Sequence, residues 1–160
     1  MKRIKLIQFI AVVLLMLVTG LFWGTWFSMT RSIITFSDTE FIHIGKTIIK
    51  NVANPMRIIM PSCIIFILAS LWFYPQKKSG GFYFNIIALM LILISLFITV
   101  GIEVPIDNQI KHWTDSTIPF EWETIRSRWA FYHSFRTFTS LGSFISFMVS
   151  ILLTESKINN

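Results

Sequence analysis

The most informative polar residues of this 160-residue chain form a row close to its C-terminus. Arg126, Trp129, His133 and Arg136 follow one another at spacings of three, four and three residues. In an α-helix these spacings place the four side chains within about 80° of one another around the axis. A histidine beside arginines suits proton transfer and the stabilisation of an anion. Because the row leads into an apolar stretch, where polar groups usually face the bundle interior, we predict that it is buried between helices.

Two carboxylates precede the row and are its natural partners. Glu103 ends a long apolar stretch, and Asp107 follows about one helical turn later. Carboxylates this close repel each other unless a cation or a shared proton joins them. We therefore expect the pair to bind the two arginines of the row, Arg126 and Arg136. Pro105 leaves a second interpretation open, in which the helix ends there and Asp107 lies in an ordinary loop.

The elements that must position these residues are membrane-spanning helices. The chain is 54% hydrophobic and 14% charged, whereas about 25% charged residues are usual in a soluble domain. Four stretches of near-spanning length contain no Asp, Glu, Lys or Arg, namely 6–30, 58–76, 79–102 and 137–154. We predict one all-α domain over residues 1–160, an integral membrane four-helix bundle with spans at about 6–28, 56–75, 82–104 and 130–153. This length excludes large transporters and two-domain enzymes.

The net charge of +6 indicates membrane topology rather than a nucleic-acid partner. Basic residues lie before the first span, in the short connection between the second and third spans, and after the last span. They are Lys2, Arg3, Lys5, Lys77, Lys78 and Lys157. By the positive-inside rule, we predict a protein of the cell membrane (the plasma or inner membrane) with both termini in the cytoplasm. Segments 31–57 and 103–136 are then extracytoplasmic, and they hold seven of the eight acidic residues and all three histidines. A competing interpretation makes residues 1–20 a cleaved signal peptide, although the apolar run continues beyond them.

The segment between the first two spans predicts an extracytoplasmic amphipathic helix. Ser37 and Glu40 have the spacing of a capping box, which starts a helix. The helix should run to about Val52, with a polar stripe made of Glu40, His43, Thr47, Asn51 and Asn54. We expect Pro55 to begin the second span and Pro61 to bend it.

The sequence contains part of a metal-binding pattern. Glu40 and His43 have the Glu-x-x-His spacing found in di-iron bundles, but a di-metal site uses two such motifs and this chain has one. If a metal were present, its candidate ligands would be Glu40, His43, Glu103, Asp107 and His133. The single cysteine, Cys63, excludes a disulfide framework and a Cys-rich zinc site. We therefore favour no metal and predict no cofactor.

Several motifs resemble the anthrone oxygenase family of small four-span membrane proteins. The similarity covers nearly the whole chain and includes the Gly-Leu-Phe-Trp-Gly run at 20–24, Asn-Pro-Met at 54–56, Val-Pro-Ile-Asp-Asn-Gln-Ile at 104–110, Trp113, and the segment 122–136. Members often carry Asn where this chain has Asp107. Named members are associated with the oxidation of a reduced carbon of a fused aromatic polyketide by molecular oxygen, without a bound flavin or haem. The resemblance therefore implies a cofactor-independent oxygenase.

Such an oxygenase needs a base, a pocket for the resulting anion, and an apolar substrate. Under this interpretation His133 is the base, oriented by Asp107 or Glu103, and the arginines stabilise an oxyanion. The candidate catalytic residues are His133, Asp107, Arg136, Arg126 and Glu103. The candidate substrate-binding residues are Trp23, Trp26, Asn54, Asn108, Trp113 and Trp129. The bilayer would supply a polycyclic or quinone-like substrate at the extracytoplasmic face.

Other functions fit the same residues. A non-enzymatic membrane protein that binds a lipid or quinone-like ligand, or that assists a partner complex, would need a similar buried polar cluster. A metal-dependent membrane oxidoreductase is a further alternative, and a purely structural ion-pair network is another. The sequence gives no prediction of the oligomeric state.

Overall fold

The structure, a computed structural model, describes residues 2–156 and is all-helical over that range. Helix α1 spans Lys2–Thr25 and continues into a π-helical turn at Trp26–Thr30. A 3₁₀ turn at Ile33–Thr35 precedes α2, which spans Asp38–Trp72. The remaining elements are α3 at Gly80–Ile98, a second π-helical turn at Thr99–Glu103, α4 at Val104–His112 and α5 at Trp122–Ser156.

Four helical segments are long and apolar enough to cross a membrane. They are Lys2–Thr35, Asp38–Trp72, Gly80–His112 and Trp122–Thr154. Large apolar side chains cover the outside of the bundle, for example Trp72, Phe97 and Ile58, each more than 70% exposed. Such a surface is costly in water but matches lipid. The chain is therefore an integral membrane protein, and the prediction of an all-α four-span bundle is confirmed.

The predicted amphipathic helix and the second span form one continuous helix. The capping box is present at its start, because Ser37 N–H donates to the Glu40 carboxylate at 2.9 Å and Glu40 N–H donates to Ser37 Oγ at 3.4 Å. The expectation that Pro55 begins the second span is wrong, since α2 passes through both Pro55 and Pro61. Each proline removes one backbone donor but keeps a φ compatible with a helix, and the surrounding hydrogen bonds maintain the element.

The third and fourth spans also extend further than predicted. Pro105 is the second residue of α4, so the helix continues past it and Asp107 is helical rather than part of a loop. Helix α5 begins at Trp122 instead of near Ala130, so the whole row from Arg126 to Arg136 belongs to one helix. These extensions bring the carboxylates and the row to similar depths in the bundle.

The bundle interior contains two apolar clusters. Helix α5 packs closely on α3 and also on α1, while α2 packs mainly on α1. The first cluster, nearer the N-terminus of α1, includes Leu15, Phe22, Met60, Ile92 and Phe147. The second lies nearer the connections 31–37 and 113–121, which we call the loop end, and includes Ile33, Phe41, Ile110, Trp113 and Trp129. The buried polar residues Glu103 and His133 lie where these clusters meet.

The basic residues that predicted the topology lie at the end of the bundle opposite the loop end. They are Lys2, Arg3, Lys5, Lys77 and Lys78, while Lys157 lies outside the described residues.

Candidate functional site

An ion pair between α5 and the third span anchors the site. Arg136 Nη2 lies 3.2 Å from Glu103 Oε2, and the Glu103 side chain is completely buried. Glu103 is the last residue of the π-helical turn Thr99–Glu103. A π turn holds more residues than an α turn, so it rotates the following chain by about 100° for each extra residue. The extra residue brings Glu103 onto the same buried face as Ile92 and Ser95 of the preceding helix α3.

Arg136 also fixes the orientation of His133. Its Nη2 and Nε donate to His133 Nδ1 at 2.8 and 3.2 Å, and its Nη1 donates to Thr99 Oγ1 at 3.3 Å. Because an arginine has no acceptor, Nδ1 must accept and the ring proton belongs on Nε2. Nε2 lies 3.3 Å from the carbonyl oxygen of Phe22, which accepts that proton. Both ring nitrogens of His133 are therefore bound to the protein.

Aromatic rings enclose this polar group. The rings of Trp129 and His133 are stacked, with centroids 4.8 Å apart and an angle of 6° between their planes. The Arg136 guanidinium lies 4.5 Å from the centroid of the Phe22 ring, a cation–π distance. Hydrocarbon and rings exclude water here, which strengthens every electrostatic interaction in the group.

A cavity of about 300 Å³ borders these residues between the helices. Asp107, Trp129, His133 and Arg136 belong to its wall, and the indole of Trp129 lies close enough to the Asp107 carboxylate to interact with it. The rest of the wall is mainly apolar and includes Leu21, Met29, Phe41, Ile49, Met56 and Met60. A small apolar cavity with a few convergent polar groups is the usual form of a ligand site.

The structure unites five of the predicted residues. Glu103, Asp107, Trp129, His133 and Arg136 form one continuous group beside the cavity. We call it the polar group. The predicted carboxylate partner of Arg136 is thus present.

Arg126 is separate from this group, and the expectation that it pairs with a carboxylate is wrong. Its Nη1 donates to the carbonyl oxygen of Phe36 at 2.9 Å, and its guanidinium lies 4.6 Å from the Trp122 ring centroid. Through this hydrogen bond, Arg126 of helix α5 binds the segment that precedes α2. Its position, more than two helical turns from Arg136 in the sequence, explains the separation.

The other predicted substrate-binding residues lie away from the cavity wall of the described chain. The rings of Trp23 and Trp26 contact each other with centroids 5.2 Å apart and planes tilted by 33°, and Trp26 Nε1 donates to Ser134 Oγ at 3.1 Å. Asn54 is exposed on α2. The remaining two residues, Asn108 and Trp113, lie near the loop end. Asn108 is exposed and accepts a hydrogen bond from Lys111 Nζ at 3.1 Å. Trp113 is buried, and its backbone carbonyl accepts a hydrogen bond from Lys46.

The candidate metal ligands do not converge. Glu40 is bound in the capping box, and His43 Nε2 pairs with Asp115 Oδ1 at 3.4 Å on the exposed surface. Within residues 2–156, no three His, Cys, Asp or Glu side chains are grouped so that they could hold a metal ion. Glu40 and His43 therefore do not complete a ligand set with the polar group.

Several site residues could not have been recognised from their types. Phe22 contributes a backbone carbonyl and a ring face, and Thr99 contributes a hydroxyl from the π turn. Arg57 and Lys111 also line the cavity. Of these residues, Arg57 could have been noticed from the sequence, because its charge interrupts a mainly apolar stretch.

A model of the anthrone oxygenase family matches residues 50–146. This is more than half of the chain, and it contains Glu103, Asp107, His133 and Arg136. In the comparisons with curated proteins and with solved structures, no significant match was found.

Proposed function

The chain belongs to the anthrone oxygenase family, and on this premise we propose that it oxidises an apolar planar molecule, such as a reduced polycyclic phenol, with molecular oxygen. The observation that carries the proposal is the 300 Å³ cavity with Asp107, His133 and Arg136 in an otherwise mainly apolar wall. Its volume lies at the lower limit of typical small-molecule sites. Its position among membrane helices suits a substrate that is dissolved in the bilayer.

The first chemical step is removal of a proton from the reduced carbon of the substrate. In this chain we assign this step to Asp107 rather than to His133, because the Asp107 carboxylate borders the cavity whereas both nitrogens of His133 are bound to Arg136 and Phe22. The assignment does not extend to family members that carry Asn at this position. Arg136 lines the same cavity as Asp107 and stabilises the developing anion.

The remaining steps balance without a bound cofactor. The carbanion gives electrons to O₂ and forms a carbon–oxygen bond, and the proton held by Asp107 completes a hydroperoxide. Loss of water, which takes the second hydrogen of the carbon, leaves a carbonyl group. One CH₂ and one O₂ thus become one C=O and one H₂O, so this route uses no flavin, haem or metal.

Turnover of anthrone by the purified protein in nanodiscs tests the proposal. We expect anthraquinone to form faster than in empty nanodiscs, and one of its oxygens to come from ¹⁸O₂. Ala53→Phe, which fills the cavity, should slow the reaction at least about tenfold, equivalent to 1.4 kcal/mol. Ile65→Phe on the lipid-facing side of the same helix should not slow it.

The outcomes separate the possible functions. Equal rates with and without protein would contradict the oxygenase proposal. Anthrone binding that is blocked by Ala53→Phe, without turnover, would instead favour a ligand-binding protein. An equal loss in both variants would assign the effect to folding.

We also propose that the loop end faces the outside of the cell. The proposal is supported by the basic residues at the opposite end of the bundle. A cysteine introduced by Phe120→Cys, at a fully accessible position, should react with an impermeant maleimide on intact cells. Gln76→Cys, in the exposed α2–α3 connection, should react only after lysis, and native Cys63 is buried. The reverse labelling pattern would invert this orientation.

A further inference from the structure

One cation in the cavity wall has no part in the proposed reaction. Arg57 lies on α2, is exposed, and lines the cavity. Among the residues that the structure describes, no carboxylate pairs with it. Its charge is therefore uncompensated at the edge of a mainly apolar space.

The depth of Arg57 in the bundle makes this charge unusual. It precedes Trp72, the last residue of α2, by 15 positions, which is about 22 Å along a helix axis. The hydrocarbon layer is about 30 Å thick. With Trp72 at one edge of this layer, the backbone of Arg57 lies inside it, and the long side chain extends toward the opposite edge. Ionisable groups at such depths commonly mark the path of a ligand or an ion.

The neighbours of Arg57 indicate that the cavity opens sideways. Pro61 on α2, Val100 in the π turn and Val104 on α4 all line the cavity and are all exposed on the bundle surface. These residues belong to two adjacent segments, α2 and the stretch from the π turn to α4. Side chains that meet both the cavity and the surrounding lipid define an opening between those segments.

The charges of the wall favour an anion at this opening. Arg136 is neutralised by Glu103 behind it, and Lys111 lies close enough to Asp107 for their charges to interact. Arg57 is left as the surplus positive charge. A guanidinium binds oxyanions through two parallel hydrogen bonds, and the apolar surroundings strengthen that interaction.

From this arrangement we infer that Arg57 binds the anionic group of an amphiphilic ligand that enters the cavity from the bilayer between α2 and the π turn. The ligand class is a planar apolar molecule that carries a carboxylate or another oxyanion. The apolar part fills the cavity, while the anion stays at the opening. The inference rests on the proposed function in that both use the same cavity, but it does not require turnover.

Two fluorescent dyes with the same aromatic skeleton test the inference. They are 1-anilinonaphthalene-8-sulfonate, which is anionic, and N-phenyl-1-naphthylamine, which is neutral. Binding is measured with the full chain in phosphatidylcholine nanodiscs, after subtraction of the signal from empty discs. We expect the wild type to bind the sulfonate about tenfold more tightly than the amine.

Arg57→Gln should weaken sulfonate binding about tenfold and leave amine binding within about twofold. Arg31→Gln is the matched control, because it removes the same charge from an exposed arginine that lies over the Trp26 and Phe27 rings. This control should leave both affinities unchanged. Ala53→Phe should weaken both dyes, which identifies the cavity as their site.

The results distinguish failure of the inference from failure of the proposed function. If Ala53→Phe weakens both dyes but Arg57→Gln does not alter their affinity ratio, the inference is overturned while the cavity stands. If Arg57→Gln and Arg57→Lys both abolish binding of the two dyes, Arg57 is structural and the inference is overturned as well. If Ala53→Phe affects neither dye, the inference fails, and the anthrone assay alone decides the proposed function.

Discussion

Arg136→Met is expected to lower the free energy of unfolding by about 3–5 kcal/mol, the usual cost of breaking a buried ion pair. The loss should be large because Glu103 is fully buried and Arg136 is its ion-pair partner in the described chain. Neither Glu103 oxygen has a hydrogen bond of good geometry there, so no other group would share the charge. His133 Nδ1 would also lose its donor. Unfolding in mixed micelles with increasing dodecyl sulfate measures the effect.

Two variants separate the ion pair from general packing. Arg136→Met combined with Glu103→Gln removes both charges, and we expect it to regain more than half of the lost stability. Arg128→Met removes an exposed arginine of the same helix, which lies over the Tyr132 ring, and should change stability by less than about 0.5 kcal/mol. If the double variant were no more stable than Arg136→Met alone, the pair would not account for the loss.

Asp107→Asn is expected to lower the kcat for anthrone about 100-fold, because general-base catalysis contributes 10²–10⁴-fold. Asparagine keeps the shape of the side chain but cannot take up the proton. Anthrone binding should therefore stay within about threefold of the wild type, which the affinity measured under argon would show. The reaction is followed by the absorbance of anthraquinone.

A paired substitution at His133 decides between the two candidate bases. In His133→Gln, the amide oxygen can accept from Arg136 and the amide nitrogen can donate to the Phe22 carbonyl. We expect this variant to keep more than about a tenth of the wild-type kcat, because the histidine positions the site rather than taking the proton. Exposed Asn108→Ala should leave kcat unchanged. An active Asp107→Asn together with an inactive His133→Gln would make His133 the base.

The sequence predicted most of what depends on local pattern. The apolar stretches predicted the four spans, the Ser37 and Glu40 spacing predicted the capping box, and the row around His133 predicted a polar face on the last span. These features could be recognised because helix periodicity and the length of an apolar stretch are properties of consecutive residues.

The partners of the polar residues were predicted only in part. Opposite charge correctly predicted that Glu103 pairs with Arg136. It also predicted a carboxylate partner for Arg126, but the partner of Arg126 is the backbone carbonyl of Phe36. Backbone carbonyls are present at every residue, so residue type gives no indication of which of them a side chain will reach. The same reason hid the role of Phe22 as the acceptor for His133.

By itself, the sequence determined the solvent of this protein, the number of its membrane-spanning segments and the face of α5 that carries polar groups, because hydropathy and periodicity act locally. The tertiary structure alone decided which of these groups meet. The π turn rotates Glu103 toward Arg136, the bonds to Arg136 and Phe22 occupy both nitrogens of His133, and the packing of four helices leaves a cavity beside Asp107. Each of these features depends on distances between residues far apart in the chain, and such distances are fixed only when the helices pack.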